Sequence, residues 1–213
     1  MEFSCLVPVY NTKPSHLFEC LDSLVNQTVP PTEIVVVDDG SDDDSTILAL
    51  DLAITIYGIF LYRLPKNYGT PTALNEGHKL CKYDWIAVMG SDDIAFPNRF
   101  EKQIDFIEKN SNVDIVGTAL FSFDYNDLNR RQLKILRHRE VRHDPDFKGD
   151  KIFCINHGTA MYKKNLVLSY SYDPSHKREQ DVQLWARMLR GGVTFYSIPD
   201  VLYAWRFRVF KPT

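Results

Sequence analysis

The hydrophobic pattern of the chain alternates between short apolar runs and longer stretches with helical spacing. Before residue 121 the runs fall at residues 3–9, 34–37, within 54–64, 85–89 and 113–120. Between them apolar residues recur at helical spacing, after Pro14, after Asp44, at 71–81 and after Pro97. This alternation predicts an α/β fold with a mostly parallel central sheet flanked by helices. The unbroken β-branched run at 34–37 is typical of a strand that is covered on both faces.

The second half of the chain has a different pattern. Residues 124–150 are polar and charged, and we interpret them as a loop with some helix. Gly191 and Gly192 end a later helix, and Pro199 and Asp200 separate the last two strands. These elements are predicted as a strand, a helix and two strands, at 152–161, 180–190, 193–198 and 201–207. We expect them to belong to the same single domain, 1–213.

Composition narrows the functional classes. The 213 residues are 44% hydrophobic and 25% charged, and a formal net charge of −3 gives no reason to expect nucleic-acid binding. No apolar run is long enough to span a bilayer, and the N-terminus lacks a signal-peptide pattern. The cysteines lack paired spacing, so we interpret them as buried free thiols: Cys5, Cys20, Cys81 and Cys154. We therefore expect a cytoplasmic protein, with association at a membrane surface left open.

Two carboxylates follow the fourth apolar run. Asp92 and Asp93 come shortly after residues 85–89, and Pro97 opens the next helical segment. Ligands gather at the strand ends of an open α/β sheet, and carboxylates there suit a hard divalent cation that carries substrate phosphates. The alternative is that both aspartates only cap the following helix. The pair alone does not decide between these interpretations.

Four motifs occur in a fixed order along nearly the whole chain. They are Val7-Pro8-Val9-Tyr10-Asn11, Val36-Val37-Asp38-Asp39-Gly40-Ser41, Ser91-Asp92-Asp93 and Gln180-Asp181-x-x-Leu184-Trp185. Together they resemble the family 2 glycosyltransferases. The resemblance implies the GT-A fold, with a nucleotide-sugar-binding half at 1–120 and an acceptor-side half, partly antiparallel, at 121–213. It also implies transfer of a sugar, with inversion, from a nucleotide-diphosphate donor to a hydroxyl of an acceptor. The donor is expected to be a UDP-sugar, as is usual in the family, and the acceptor is a glycan, a lipid-linked sugar or a protein.

The resemblance assigns the donor site residue by residue. The nucleotide-sugar-binding positions fall at Pro8, Tyr10, Asp38, Asp39, Asn67, Gly69, Ser91 and Asp93. The loop at Pro8 and Tyr10 would border the nucleotide base, and Asp38 would hydrogen-bond that base with Asp39 in support. Helix capping is the alternative for the two aspartates, and an ordinary turn is the alternative for Gly69.

A divalent cation and a base are also implied. Asp92 matches the acid that contacts Mn²⁺ or Mg²⁺, whereas Gly90 stands where the family often has the first acid of Asp-x-Asp-Asp. Asp181 matches the catalytic base, which takes the proton from the attacking hydroxyl. Its alternative role is to place a negative charge in the first turn of its helix.

Several departures keep a second function open. The family often shows Arg-x-His near its C-terminus, where this chain has Arg206-Phe207-Arg208. We expect Arg206, with Arg208, to bind the diphosphate of the nucleotide sugar directly; the alternative is that both are surface charges on the last strand. His157 lies where the acceptor-side strand should begin, and a structural role is its alternative. The basic residues of 124–150 could bind an anionic acceptor or could form a solvated surface. The alternative function is that of a degenerate, non-catalytic nucleotide-sugar-binding protein. Gly90 and the departures at the C-terminus favour this alternative.

Two other enzyme classes fit the sequence poorly. Nucleotidyltransferases and dinucleotide oxidoreductases need glycine-rich phosphate loops directly after a strand, and no such loop follows any predicted strand.

Overall fold

A computed structural model of the chain describes residues 1–124, 127–136, 155–176 and 179–207. The strands in these ranges are β1 (Ser4–Val9), β2 (Glu33–Asp38), β3 (Phe60–Arg63), β4 (Trp85–Val88), β5 (Ile94–Ala95), β6 (Ile115–Asp124), β7 (Asp127–Leu136), β8 (Met161–Lys163) and β9 (Phe195–Phe207). The helices are α1 (Pro14–Val25), α2 (Asp44–Tyr57), α3 (Thr70–Leu80), α4 (Arg99–Lys109), α5 (Lys164–Tyr170) and α6 (Gln180–Arg190).

These strands form one mixed sheet with the order β3-β2-β1-β4-β8-β6-β9-β5, and β7 pairs with β6 outside this path. The first four strands in that order are parallel to one another, so β1, β2 and β4 all end at one edge. Strand β8 runs antiparallel to both β4 and β6 and joins the two halves. The predicted α/β class, with a parallel half and a partly antiparallel half, is confirmed.

Helices cover both faces of the sheet. Leu17 and Leu50 belong to one core cluster, under α1, α2 and α4, and Leu74 and Met188 belong to the other, under α3, α5 and α6. Strand β2 contributes to both clusters, as its unbroken apolar run predicts. None of the described helices is long and apolar enough to cross a membrane. The three cysteines in the described ranges are free and buried: Cys5, Cys20 and Cys81.

The acceptor-side half differs from the sequence-based expectation in three places. Part of the expected loop at 124–150 is strand β7, which pairs antiparallel with β6; residues 137–150 lie outside the described ranges. The two final strands are one strand, because Pro199 and Asp200 form a bulge between segments that both pair with β6. Of the strand expected at 152–161, residues 152–154 lie outside the described ranges; the described part contains a 3₁₀ turn at His157–Thr159, and strand β8 begins at Met161.

A buried side-chain pair on α4 links the two halves. The guanidinium of Arg99 is fully buried, donating from Nη2 to the carbonyl oxygen of Val88 at 3.1 Å and from Nε to Oε1 of Gln103 at 3.1 Å. The amide of Gln103 then donates to the carbonyl oxygens of Val116 and Thr159, each at 3.0 Å. A buried charge needs such partners, because each group left without one costs several kcal/mol. The pair therefore joins β4, β6 and the His157–Thr159 turn.

Gln103→Leu tests this link. The substitution keeps the volume but leaves the two carbonyl oxygens and the Nε of Arg99 without partners, so we expect the free energy of unfolding to fall by about 2–4 kcal/mol. Urea unfolding measures the change. Gln183→Leu, on an exposed position of α6, is the matched control, with an expected change of about 0.5 kcal/mol or less. Equal stability of the two variants would contradict the role of Gln103.

Candidate functional site

A cleft of about 700 Å³ opens at the carboxyl ends of β1, β2 and β4. Its lining residues come from both halves: Pro8, Val9, Tyr10, Asn11, Thr12, Asp39, Thr70, Ala73, Gly90, Ser91, Asp92, Trp205, Arg206 and Phe207. A smaller pocket of about 410 Å³ lies beyond Tyr10, which lines both spaces and is 45% exposed. Every predicted position on the first three motifs except Asp93 therefore lines one of these two pockets, which share Tyr10.

Asp38 ends β2 at the smaller pocket. Its buried carboxylate accepts a hydrogen bond from the backbone N–H of Ser41 at 2.9 Å and lies 3.4 Å from the Nε of Arg63. Asn67 and Lys66 line the same pocket. A carboxylate beside an amide side chain offers hydrogen-bond acceptors and a donor to a polar ring, which is what recognition of a nucleotide base requires.

Asp39 fastens the loop that leads into α3. Its buried carboxylate accepts the backbone N–H groups of Tyr68 at 2.9 Å and Gly69 at 2.8 Å. Gly69 has a φ of 96°, a conformation that glycine adopts without a Cβ clash. The backbone N–H of Asp39 donates to the carbonyl of Val9 at 2.8 Å. Asp39 thereby fixes the wall of the cleft between β1 and α3.

Asn11 and Thr12 also shape the cleft, although sequence analysis gave them no role. Asn11 adopts a φ of 47°, and its side-chain oxygen accepts the backbone N–H groups of Asp42 at 3.0 Å and Asp43 at 3.1 Å. The hydroxyl of Thr12 is hydrogen-bonded to that of Ser91 at 2.7 Å. An Asn directly after a strand is the signal that was available, because Asn tolerates positive φ and bonds nearby backbone.

The two carboxylates after β4 lie in different surroundings. Asp92 lines the cleft, whereas Asp93 is 5% exposed and is not among the lining residues. The carboxylate of Asp93 accepts the hydroxyl of Tyr203, and it accepts the backbone N–H of Arg206 at 2.7 Å. Burial, reinforced by the neighbouring Asp92 carboxylate, raises the pKa of Asp93 to about 7. Asp93 therefore fastens β9 to the end of β4.

Gly90 fits this arrangement because it has no side chain. A Cβ at that position would overlap Oδ2 of Asp93 and approach the hydroxyl of Tyr203 at 3.2 Å. The backbone N–H of Gly90 donates to that same hydroxyl at 3.1 Å. Gly90 stands where related motifs carry a first acid, and Asp93 occupies the space that a side chain at this position would need.

Arg206 brings a buried cation to the cleft wall. It is 5% exposed, donates from Nε to the carbonyl oxygen of Asp92 at 2.6 Å, and forms an ion pair with Glu19 through Nη2. Its guanidinium also lies 4.7 Å from the ring centroid of Phe123. These contacts hold a positive charge directly behind Asp92. Arg208 lies outside the described residues.

The carboxylates at the cleft limit how a divalent cation could bind. No group of three or more His, Cys, Asp or Glu side chains able to hold a metal occurs among the described residues. Of the two aspartates that follow β4, Asp92 is the one that lines the cleft. Mg²⁺ is commonly bound by one or two carboxylates together with waters and substrate phosphates. The donor set therefore fits a cation that arrives with a diphosphate, and does not fit an all-protein metal cage.

Asp181 lies apart from the residues that line the cleft. It occupies the first turn of α6, whose Leu184 and Trp185 are buried in the second core cluster. The negative charge of Asp181 acts on His157, where it partly opposes the fall in the imidazole pKa that burial causes. The structure thus places Asp181 within electrostatic reach of His157, and neither residue is among those that line the two pockets.

Gly90→Ala tests the overlap with Asp93. We expect the free energy of unfolding to fall by about 1–3 kcal/mol, because the added methyl group displaces a carboxylate that Tyr203 and Arg206 hold. A double-mutant cycle with Asp93→Ala isolates the cause: the double variant should lose less stability than the sum of the two single variants. Additive losses measured by thermal unfolding would show that the two positions are not coupled.

The fold is shared with solved structures of S. aureus TarS. Crystal structures of S. aureus TarS 1–349 in complex with UDP and with UDP-GlcNAc superpose with TM-scores of 0.79 and 0.80, each at 21% sequence identity. The match to the UDP-GlcNAc complex covers 99% of this chain and 60% of the TarS 1–349 chain, so this chain spans about three fifths of that chain's length. At this identity the likeness shows the fold, which is the GT-A fold.

Sequence comparison gives closer relatives. The chain is 33% identical over 201 residues to the amylovoran biosynthesis glycosyltransferase AmsE of Erwinia amylovora, covering 94% of this chain and 74% of that protein. It is 28% identical over 214 residues to an Escherichia coli protein named UDP-Gal:alpha-D-GlcNAc-diphosphoundecaprenol beta-1,3-galactosyltransferase, covering 97% and 74%. The family described as Glycosyl transferase family 2 matches residues 4–169. The chain therefore belongs to glycosyl transferase family 2 and is a glycosyltransferase.

Proposed function

We propose that this glycosyltransferase moves a sugar from a UDP-sugar to an acceptor hydroxyl with inversion at the anomeric carbon, assisted by Mn²⁺ or Mg²⁺. The observation that carries the proposal is a pair of pockets that share Tyr10: one is lined by Asp38, and the other is lined by Asp92 and Arg206. The two pockets match the parts of a nucleotide sugar: a base, a diphosphate and a sugar. The UDP-GlcNAc complex of TarS and the UDP-Gal donor in the name of the Escherichia coli relative support a uridine nucleotide.

The donor would lie along the strand ends. The base would enter the smaller pocket and hydrogen-bond with Asp38 and Asn67, while the exposed ring of Tyr10 borders it. The diphosphate would then lie near Ser91 and Asp92, where the buried guanidinium of Arg206 offsets its negative charge. Asp39 and Asp93 act by holding the loops and strands that carry these groups.

Asp92 would hold the divalent cation together with the diphosphate oxygens. Bound there, the cation would offset the charge that develops on the departing UDP. Arg206 adds a fixed positive charge from the protein side, and it is held in place by its ion pair with Glu19. The two charges would lower the barrier to breaking the bond between the anomeric carbon and the diphosphate oxygen.

Asp181 would act as the base. The acceptor hydroxyl oxygen attacks the anomeric carbon, the bond to the diphosphate oxygen breaks, and UDP leaves with the electron pair. The hydroxyl proton passes to the carboxylate of Asp181. One in-line displacement of this kind inverts the anomeric carbon and needs no covalent enzyme intermediate. The acceptor is a glycan, a lipid-linked sugar or a protein, and a cytoplasmic site of action fits the buried free thiols.

A non-catalytic nucleotide-sugar-binding protein is the second candidate. The observation that favours it is Gly90, where the side chain of a first acid has no space beside Asp93. Such a protein would bind UDP through the Asp38 pocket and would turn over no donor. Turnover therefore separates the two candidates.

Calorimetric titration with UDP tests the metal assignment. We expect Mn²⁺ to tighten UDP binding by about tenfold or more, and removal of the cation with EDTA to reverse the gain. Asp92→Asn should lose this metal dependence while it keeps the weaker, metal-free binding at the Asp38 pocket. An unchanged response to Mn²⁺ in Asp92→Asn would show that another group holds the cation.

Asp181→Asn tests the base. Donor hydrolysis, in which water replaces the acceptor, is followed as UDP released from UDP-GlcNAc or UDP-galactose. We expect kcat to fall by about 100-fold or more while the KM for the donor changes little, because the carboxylate acts on the attacking oxygen and not on the donor. Full turnover in the variant would place the base elsewhere.

A further inference from the structure

Two aromatic side chains of β9 line the cleft, and the proposed donor site does not use them. Trp205 is 41% exposed at the cleft wall, and the ring of Phe207 lies beside it with centroids 5.8 Å apart and planes 33° from parallel. Tryptophan is highly buried on average in folded proteins, so an indole left this open inside a cavity is uncommon. We call these two rings the aromatic wall of the cleft.

The alternation of side chains along β9 separates the aromatic wall from Arg206. Successive side chains of a strand point to opposite faces, so Trp205 and Phe207 share one face and Arg206 lies on the other. Burial agrees with this pattern, because Arg206 is 5% exposed and forms its ion pair with Glu19 of α1. The guanidinium proposed to face the diphosphate and the aromatic wall therefore lie on different faces of the strand.

The backbone beneath the aromatic wall is held on both sides. Strand β9 pairs with β6 through Trp205 and on to Phe207. Between these two residues, the backbone N–H of Arg206 donates to the buried carboxylate of Asp93 at 2.7 Å. Because this backbone is fixed before a ligand arrives, packing a ligand against the two rings requires little further ordering of the chain.

The surroundings of the aromatic wall suit a sugar ring. One face of a pyranose presents C–H groups, which pack on an aromatic ring because the face of that ring carries partial negative charge. The rim of a pyranose carries hydroxyls, and the polar residues Asn11, Ser91 and Asp92 line the same cleft. Ligand pockets commonly combine apolar walls with a few polar groups in this way. The cleft therefore offers both kinds of contact that a sugar makes.

The aromatic wall lies away from the proposed base site. Among the described residues that line the pocket of Asp38, neither Trp205 nor Phe207 occurs. The side chains proposed to hold the base and the cation come from the strand ends of β1, β2 and β4 and from the loops that follow them. Strand β9 instead belongs to the acceptor-side half, where it pairs with β6. A second substrate that enters the cleft from this half would meet the aromatic wall.

We propose that Trp205 and Phe207 bind a sugar ring of the acceptor by packing against its C–H face. The inference rests on the proposed function, because the protein has an acceptor only if it transfers a sugar. It narrows the acceptor to a molecule that presents a sugar ring to the cleft, which is a glycan or a lipid-linked sugar.

Nitrogen–proton NMR of the tryptophan indoles tests the proposal. The chain has three tryptophans, and the signal that disappears in Trp205→Phe is the Nε1–H of Trp205. The probes are methyl β-glucoside, methyl β-galactoside and methyl N-acetyl-β-glucosaminide, added to the protein with UDP and Mn²⁺ at up to about 50 mM, which detects millimolar binding. We expect at least one glycoside to shift the signal of Trp205 and to leave that of the buried Trp185 unchanged.

Substitutions test whether the aromatic face holds the glycoside. Saturation transfer from the protein to the C–H protons of the glycoside measures binding in every variant. We expect Trp205→Ala to weaken binding by about tenfold, and Trp205→Phe, which keeps an aromatic face, by about threefold or less. Trp85→Phe is the matched control, since Trp85 opens β4 beside Lys163, and it should bind the glycoside as the wild type does.

The outcomes separate the aromatic wall from the proposed function. Unchanged Trp205 signals with all three glycosides would overturn the role of the aromatic wall, and UDP release from UDP-GlcNAc or UDP-galactose by the same sample would show that the transfer reaction stands without it. A shifted Trp205 signal in a protein that turns over neither donor would support the sugar site and contradict the transfer reaction.

The same variant also distinguishes the acceptor from the donor. In calorimetric titration with UDP and Mn²⁺, we expect Trp205→Ala to keep the affinity of the wild type within about threefold. A loss of UDP affinity of more than about tenfold would assign the ring to the donor and would overturn the proposal.

Discussion

The structure depends on the burial of one positive charge. Arg99 is fully enclosed, and its guanidinium is satisfied by the carbonyl of Val88, the side chain of Gln103 and the ring of Tyr203, whose centroid lies 5.2 Å away. Because an ion is costly to bury without such partners, a change that displaces one of these groups destabilises the fold. The hydroxyl of the same tyrosine then sets the backbone of Gly90 and the carboxylate of Asp93. One desolvated cation thereby fixes the strand end at which the proposed donor binds.

Each acidic strand end divides its work between two neighbouring aspartates. After β2, Asp38 lines the smaller pocket, while Asp39 lines the cleft and also fastens the loop at Gly69. After β4, Asp92 lines the cleft while the buried Asp93 fastens β9. The carboxylates of Asp39 and Asp93 are buried, and each of their oxygens accepts a hydrogen bond. Removing either carboxylate would leave its buried donors without partners, which lowers the free energy of unfolding. Asp39 and Asp93 thereby hold the backbone that carries the neighbouring Asp38 and Asp92. The second acid of each pair is in this way as necessary to the site as the first.

The sequence predicted the local part of this arrangement well. Periodicity located the parallel strands, because 34–37 and 85–89 carry unbroken apolar runs, and the acids at their ends identified Asp38 and Asp92. It did not predict the partners that decide what those acids do. Tyr203 lies 110 residues from Asp93 and Arg206 lies 187 residues from Glu19, and nothing in local spacing relates such pairs. The pairing of β7 with β6 likewise depends on tertiary context, because this polar segment lacks strand periodicity.

The central claim is that Asp92 and Asp38 hold the two ends of one nucleoside diphosphate. A crystal structure of the protein with UDP and Mn²⁺ tests it most directly, since the anomalous scattering of manganese locates the cation independently of the nucleotide. The account predicts manganese bound to an Asp92 carboxylate oxygen and to the diphosphate, with the uracil ring in the pocket of Asp38 and Asn67. Manganese bound to Asp93, or a uracil ring outside that pocket, would contradict it.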